Sequence, residues 1–379
     1  MKRTIKISAY IIGVCLVFYI VAPDYLVNAL QRLGPRIDDY TFFENRVIEA
    51  GTYDPWEIDD NYNKTTLPET VHEQIEEYDP VAFLVIQNEK IKYEEYWDGY
   101  NEKSLSNSFS AAKSVVALLI GVALDEGKIK SLDQPVGDFL PEYNEGSRKD
   151  LAIRQVLTMS SGLNWEEKYT TPFSTTARAY YGSNIADLVI DLEVVEEPGV
   201  YFEYLSGNTQ ILAMIVEAAT GQRISEYASE KIWSSIGAQH NALWCLDTED
   251  GMEKAYCCFN TNARDFARFG QLVLNNGIWN NKEIISEDYI TDATTAKEYL
   301  LDKRDNKPVD FYGYQWWIID YKGLKIPYMR GILGQYIYSI REKNAVVVRL
   351  GHDRSSEYIG RHPKDVYLYL DAAFMILDQ

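Results

Sequence analysis

The apolar and polar positions of the chain fall into strands near both ends and helices between them. Val81 to Gln87 and Ile91 to Trp97 are β-rich runs around Asn88-Glu89-Lys90, the pattern of an antiparallel hairpin. Ser110 to Glu126 is apolar nearly all round and is followed by Gly127, which predicts a fully buried helix closed by a C′ glycine. Further helices are expected over about 151–160, 184–192, 207–220 ahead of Gly221, 223–235, and 262–276 ahead of Gly277. Tyr314 to Asp320, Tyr336 to Ile340 and Ala345 to Leu350 read as strands, the last two joined by Arg341-Glu342-Lys343-Asn344. A final amphipathic helix starts at Pro363, a residue suited to a first helical turn, and runs to about Leu377. The order predicts an α+β fold: one antiparallel sheet built from both termini, flanking helices, and an inserted all-α region at roughly 128–280.

Two segments stand outside this pattern. Lys2, Arg3 and Lys6 precede an apolar run from Ile7 to Ala22. As a helix that run spans about 24 Å, short of a hydrocarbon core of about 30 Å, and a snorkelling Lys6 behind Ile5 narrows the gap. A basic flank before an apolar run is the pattern of a secretory signal or signal anchor. Residues 1–22 therefore predict export to the periplasm or the outer face of the membrane, either anchored through residues 5–22 or cleaved and secreted. A buried helix in a soluble core is the alternative. Residues 23–65 are polar, rich in Tyr, Asp and Asn and interrupted by Pro35 and Pro55, and are expected to form an irregular extension. The main domain is then 66–379.

Composition narrows the function. The 379 residues hold 37 Lys+Arg against 57 Asp+Glu, a net charge of −20, without a basic stripe, so no nucleic-acid partner is expected. Hydrophobic residues at 46% rule out wholesale disorder. Four Cys are too few for a disulfide framework, and the vicinal Cys257-Cys258 pair is expected to be buried small hydrophobes. Four His leave little room for His-rich metal chemistry. The expected partner is a small-molecule or peptide substrate, handled without a metal or cofactor.

Ser108-Phe109-Ser110-Ala111-Ala112-Lys113-Ser114 carries the first candidate chemistry. Ser110 and Lys113 share one face at the start of a helix. A serine hydroxyl needs a base to take its proton, and a desolvated lysine with a lowered pKa can serve. An S-x-x-K match is common and Ser110 could be an N-cap, but a lysine stranded in an apolar helix needs a purpose, because burying an unpaired ammonium is costly. Pro198 to Asn208 leads through aromatics to a helix start, where the Tyr204 phenol could exchange protons with a serine oxygen. Taken alone, Tyr204 reads better as one of 29 tyrosines packing in a core. Met329-Arg330-Gly331-Ile332-Leu333-Gly334-Gln335-Tyr336 precedes a predicted strand and reads equally as a glycine turn or as backbone that supplies half of an oxyanion hole.

Other segments add to these. Leu157-Thr158-Met159-Ser160-Ser161-Gly162-Leu163 is similar to "LLTHTSGL", and Phe202-Glu203-Tyr204 with Ser206 to "F-x-Y-S-N". Asn262 to Gly270 is similar to "TA-x-DMARFG", and Tyr312 to Trp317 to "YGYGWW". In these ordered motifs, from about residue 66 to 379, the chain resembles the serine β-lactamase-related family: class C β-lactamases, D-alanyl-D-alanine carboxypeptidases, family VIII esterases and 6-aminohexanoate-dimer hydrolases. The resemblance implies a β-lactamase/transpeptidase-like fold, with Ser110 as nucleophile, Lys113 as its activating partner and Tyr204 as proton shuttle. The third family motif, K-T-G or H-x-G, falls on Ile332-Leu333-Gly334. That places one oxyanion-hole N–H on Gln335 and the other on Ser110, with Ser206, Ile332, Leu333 and Gly334 against the substrate.

Two departures bear on the substrate. The motif positions that hold an asparagine and a lysine in lactamases and peptidases hold Ser206 and Ile332 here, and neither supplies a charge. An apolar Ile332-Leu333 wall suits an uncharged acyl or alkyl group, which ranks an esterase or amidase above a peptidoglycan D-Ala-D-Ala peptidase or β-lactamase. A non-catalytic scaffold of the same fold is the third reading, and the presence of Ser110, Lys113 and Tyr204 counts against it. Arg264 and Asp265 are read as a structural ion pair at a helix start. No G-x-S-x-G nucleophile elbow is present.

Overall fold

The computed structural model of the chain describes Tyr19 and residues 21–379. Its seven-stranded sheet has the order Trp317–Tyr321, Leu324–Gly331, Gln335–Ile340, Ala345–Gly351, Pro80–Gln87, Lys90–Tyr96, Glu57–Ile58. Neighbours are antiparallel except at the last edge, where Glu57–Ile58 runs parallel to Lys90–Ile91. The two ends of the chain meet in mid-sheet, with Val347 opposite Val85.

Both faces of this sheet are covered, so its central strands are apolar without a break. Ala82, Leu84 and Ile86 enter one core with Val346, Val348 and the helix Ala112–Asp125. Phe83 and Val85 enter the other with Val347, Tyr338 and Tyr369 of the C-terminal helix Lys364–Leu377. Helix Ala112–Asp125 is buried from Ala112 to Ala123, and Gly127 takes the left-handed conformation just past its end. The fold is α+β, with the hairpin, the long helices and the C-terminal helix where the pattern of the chain places them.

Four expectations are corrected. Residues 23–65 are not an irregular extension: they hold the helix Asp24–Arg32 and the strand Asn45–Ile48, and they supply Glu57–Ile58 to the main sheet. Their polar composition hides the ties that hold them. Asp39 is fully buried and accepts hydrogen bonds from Arg36 N at 2.9 Å, Arg32 Nε at 2.9 Å and Tyr180 Oη at 2.7 Å. The inserted region is not all-α, because it contributes Ala242–Cys245 and Phe259–Thr261 to a four-stranded sheet with Asn45–Ile48 and Ser106–Asn107. Strands of two to four residues are too short to show alternation. Cys257 and Cys258 are buried as expected but are joined in a disulfide, and the left-handed backbone at Cys258 turns the two side chains together. Finally, Arg264 and Asp265 do not pair with each other, since adjacent residues of a helix face different ways. Arg264 donates to Glu94 at 2.9 Å, while Asp265 takes Arg268 Nε at 2.9 Å.

Among the described residues no helix is long and apolar enough to cross a membrane. The stretch on which export was read, residues 1–22, lies outside the described residues apart from Tyr19, Val21 and Ala22.

Candidate active site

The segment before helix Ala112–Asp125 is held at both ends of a tight turn. Ser106–Asn107 pairs with Phe259–Thr261, Ser108 N donates to Phe259 O at 2.8 Å, and Asn107 Oδ1 accepts Phe109 N at 2.9 Å. Phe109 then adopts φ +44°, a conformation that costs a bulky residue about 1–3 kcal/mol and is kept only where its surroundings over-determine it. Ser110 follows in a single 3₁₀ turn over Phe109–Ala111 and makes no capping hydrogen bond. Its side chain is free to face a cleft, so it is not an N-cap.

One turn on, Lys113 is 1% exposed, and its Nζ donates to Ser110 Oγ at 3.1 Å and to Tyr256 O at 2.7 Å. No carboxylate among the described residues lies within ion-pair reach of it. Burial lowers its pKa to about 7, with the Glu167 charge acting in the opposite sense. Near neutrality a large fraction of Lys113 is therefore the free amine, able to take the proton of the hydroxyl it touches.

Tyr204 packs on the other side of this amine, its ring centroid 5.2 Å from Lys113 Nζ. The ring rests on Trp317 at 5.5 Å and Tyr312 at 6.1 Å. Burial pushes its phenol up, and the hydrogen bond to Ser110 opposes that only in part. Tyr204 thus stays protonated, although a charged lysine beside it would ease its ionisation. A neutral lysine supplies no charge to do so.

Ser110 and Ile332 sit where two cavities meet. One, of about 730 Å³, is also lined by Glu167, Tyr204, Trp317 and Arg330. The other, of about 410 Å³, is also lined by Phe109, Cys257, Leu333 and Ser206. Ser206 is 1% exposed and its hydroxyl is already engaged, donating to Glu167 at 2.8 Å.

The structure separates the residues of the third motif. Ile332 and Leu333 reach the cavities, whereas Gly334 packs against Arg349 and Gln335 is fully buried, and neither lines either cavity. The Gln335 side-chain amide donates to Gly351 O at 2.8 Å and Ile332 O at 3.2 Å. The glycine that matters to the site is Gly331: a Cβ there would lie 2.1 Å from Ser108 O. This strand end therefore runs directly against the turn that carries Ser110, and the next backbone N–H belongs to Ile332. Gln335 lies three residues on, beyond the turn Ile332–Gly334, where Leu333 at φ +58° carries the chain away from the cleft.

Two contributors had no reading in the sequence. Glu167 accepts Ser206 N at 2.7 Å, Ser206 Oγ at 2.8 Å and Trp165 Nε1 at 2.8 Å, and also the Tyr169 hydroxyl. It fixes the start of helix Ser206–Thr220, just after Tyr204, and its negative charge suits that helix terminus. Its only signal was an acidic pair after Trp165, ordinary on a chain this acidic. Tyr256 acts through its carbonyl, which no side-chain pattern reveals. Arg330, the one cation within the third-motif segment, lies over the Trp317 ring at 3.1 Å.

The family model described as Beta-lactamase matches residues 73–364. The chain is 28% identical over 300 residues, 76% of each chain, to the 6-aminohexanoate-dimer hydrolase of Paenarthrobacter ureafaciens. Among solved structures it is similar to a Bacillus anthracis protein provisionally named a 6-aminohexanoate-dimer hydrolase, with TM-score 0.77 and 24% identity over 90% of this chain and 94% of that one. A family VIII carboxylesterase matches with TM-score 0.62 and 16% identity, over 88% of this chain and all of that one.

Proposed function

The chain belongs to the Beta-lactamase family, whose match spans residues 73–364, and from that premise we propose that it is a serine hydrolase of esters or amides working through an acyl-Ser110 intermediate. One observation carries the reading: Lys113 Nζ, buried and with a pKa near 7, is 3.1 Å from Ser110 Oγ. The free amine takes the Ser110 proton as Oγ bonds to the substrate carbonyl carbon. The backbone N–H groups of Ser110 and Ile332 receive the oxyanion, a role that preorganised donors fill without rearrangement. Tyr204, still protonated, gives its proton to the departing oxygen or nitrogen as the carbon–heteroatom bond breaks, and regains one from Lys113. In the second half a water attacks the ester carbon, its proton passes to the same Lys113–Tyr204 pair, and Ser110 leaves with a proton restored.

Labelling with a fluorophosphonate probe tests this. Wild type is expected to label and Ser110→Ala to stay dark; equal labelling of the two removes Ser110 from the mechanism. Short p-nitrophenyl esters are expected to turn over faster than a chromogenic cephalosporin; the reverse order would favour the lactamase reading. The basic start and apolar run of residues 1–22 support export of this hydrolase, and fractionation of expressing cells, with the protein outside the cytoplasm, is the check.

A further inference from the structure

The two cavities at Ser110 differ in chemistry, and the position of Tyr204 assigns them. Tyr204 lines the cavity of about 730 Å³ and not the one of about 410 Å³. Acyl transfer cuts the substrate at the carbonyl held on Ser110, and the half that needs a proton from Tyr204 must lie on the Tyr204 side. On the reading proposed above, the leaving group occupies the larger cavity and the acyl group points into the smaller one.

The smaller cavity is built for carbon. Pro35, Phe109, Ala177, Leu333 and Cys257 supply apolar wall, alongside the rings of Tyr180 and Tyr256. Its charged members lie at the mouth: Lys168 and Asp353 are exposed and Arg354 is half-exposed. Phe109 and Cys257 are buried. Among the described residues the only carboxylate on its lining is the exposed Asp353, so the buried part of the wall offers a cation no partner, and an unpaired charge there would be costly. We propose that this cavity is an acyl subsite for an uncharged, medium-length aliphatic chain, and that it rejects an acyl chain ending in a cation.

The selectivity is a transition-state effect of burying methylenes. Each fully buried methylene is worth about fourfold in kcat/KM, from ~0.8 kcal/mol of transfer free energy. A series of p-nitrophenyl acetate, hexanoate and octanoate reads it directly, alongside the hexanoate ester with a trimethylammonium group at its far end. We expect kcat/KM to rise at least tenfold from acetate to hexanoate and the cationic chain to lose most of that gain. A flat profile, or a cationic chain as good as hexanoate, overturns the subsite. Ala177 lies half-exposed on the wall. Ala177→Trp is expected to collapse the hexanoate-to-acetate ratio, whereas Ala177→Ser should keep it. Because each ratio is taken within one variant, partial unfolding cancels, and an unchanged ratio in Ala177→Trp counts against the proposal. If no ester turns over and Ser110 does not label with a fluorophosphonate, the hydrolase reading itself falls and the subsite with it. A labelled Ser110 with a flat chain-length profile sinks the subsite alone.

Discussion

Lys113 Nζ and Ser110 Oγ are 3.1 Å apart, with the amine so buried that its pKa falls to about 7. The proposed chemistry needs the unprotonated amine, so kcat/KM should rise with pH through about 7 and level off above it. Lys113→Met should cost about 10²–10⁴-fold in rate, the range for losing a positioned base. The same burial destabilises the fold. The native amine has lost its proton affinity relative to the unfolded chain, where lysine titrates near ~10.4. Between these two pKa values the unfolded state binds the extra proton, so wild-type stability rises with pH across that window. Lys113→Met should therefore be more stable than wild type near neutrality, and its advantage should shrink as pH approaches the unfolded lysine pKa. Urea unfolding of both proteins at several pH values measures this; a constant difference would remove lysine titration from the account.

Tyr204 is expected to act as an acid, because burial holds its phenol in the protonated form. Tyr204→Phe should then hurt substrates in proportion to how badly their leaving group needs a proton. An alkyl ester or amide is expected to lose about 10²–10⁴-fold, and a p-nitrophenyl ester, whose leaving group departs as a stable anion, far less. Equal losses on both would make Tyr204 a packing residue against Trp317.

Glu167 places a negative charge where it raises the Lys113 pKa against the pull of burial. Glu167→Gln takes that charge away, so the acid limb of the kcat/KM profile should move to lower pH. The amide oxygen can keep Ser206 N and Trp165 Nε1, which share one carboxylate oxygen, while its NH2 turns to the Ser206 and Tyr169 hydroxyls, so the Tyr204 segment should hold and the plateau kcat change little. A fall in kcat without movement of the acid limb would leave Glu167 a purely structural anchor.

How much of this could be read beforehand depends on how local each signal is. The turn and helix that carry Ser110 and Lys113 were legible because a single lysine interrupts an otherwise apolar helical run. The third motif was legible as a segment but not in register. Gly331 and Gly334 both precede strand-like residues, and only the approach of Gly331 to Ser108 O shows which one faces the nucleophile. Glu167 and the Tyr256 carbonyl gain their roles from residues far along the chain, Ser206 and Lys113. The same is true of Asp39, whose burial is set by Tyr180, 141 positions away. That is why residues 23–65 looked irregular.

Gly331 gives a test of register. A methyl group there would meet Ser108 O at 2.1 Å, a distance that backbone must move to relieve. Gly331→Ala should push the Ile332 N–H and the Ser110 turn apart and lower kcat by about 10²–10³-fold, the scale of losing one oxyanion donor. Gly334 would meet the Arg349 guanidinium instead, away from both cavities, so Gly334→Ala should act on stability first. The comparison is kcat against urea midpoint for the two variants. A Gly331→Ala enzyme with near-normal kcat would remove Ile332 from the oxyanion site.

Residues 23–65 are tied to the rest of the fold through Asp39. Asp39 is fully buried and serves Arg32, Arg36 N and Tyr180 together. Asp39→Ala leaves Arg36 N and the buried Tyr180 hydroxyl without their acceptor while Arg32, which reaches solvent, rehydrates, and a buried donor left unpaired costs about 1–3 kcal/mol. Pro35, just ahead of it, also lines the smaller cavity beside Ser110. Asp39→Ala should therefore lower the urea midpoint and, where the protein remains folded, reduce activity on longer acyl esters more than on acetate. Asp39→Asn keeps an acceptor oxygen and should fall between the two. A variant that unfolds at the wild-type midpoint would show that residues 23–65 are dispensable to the fold.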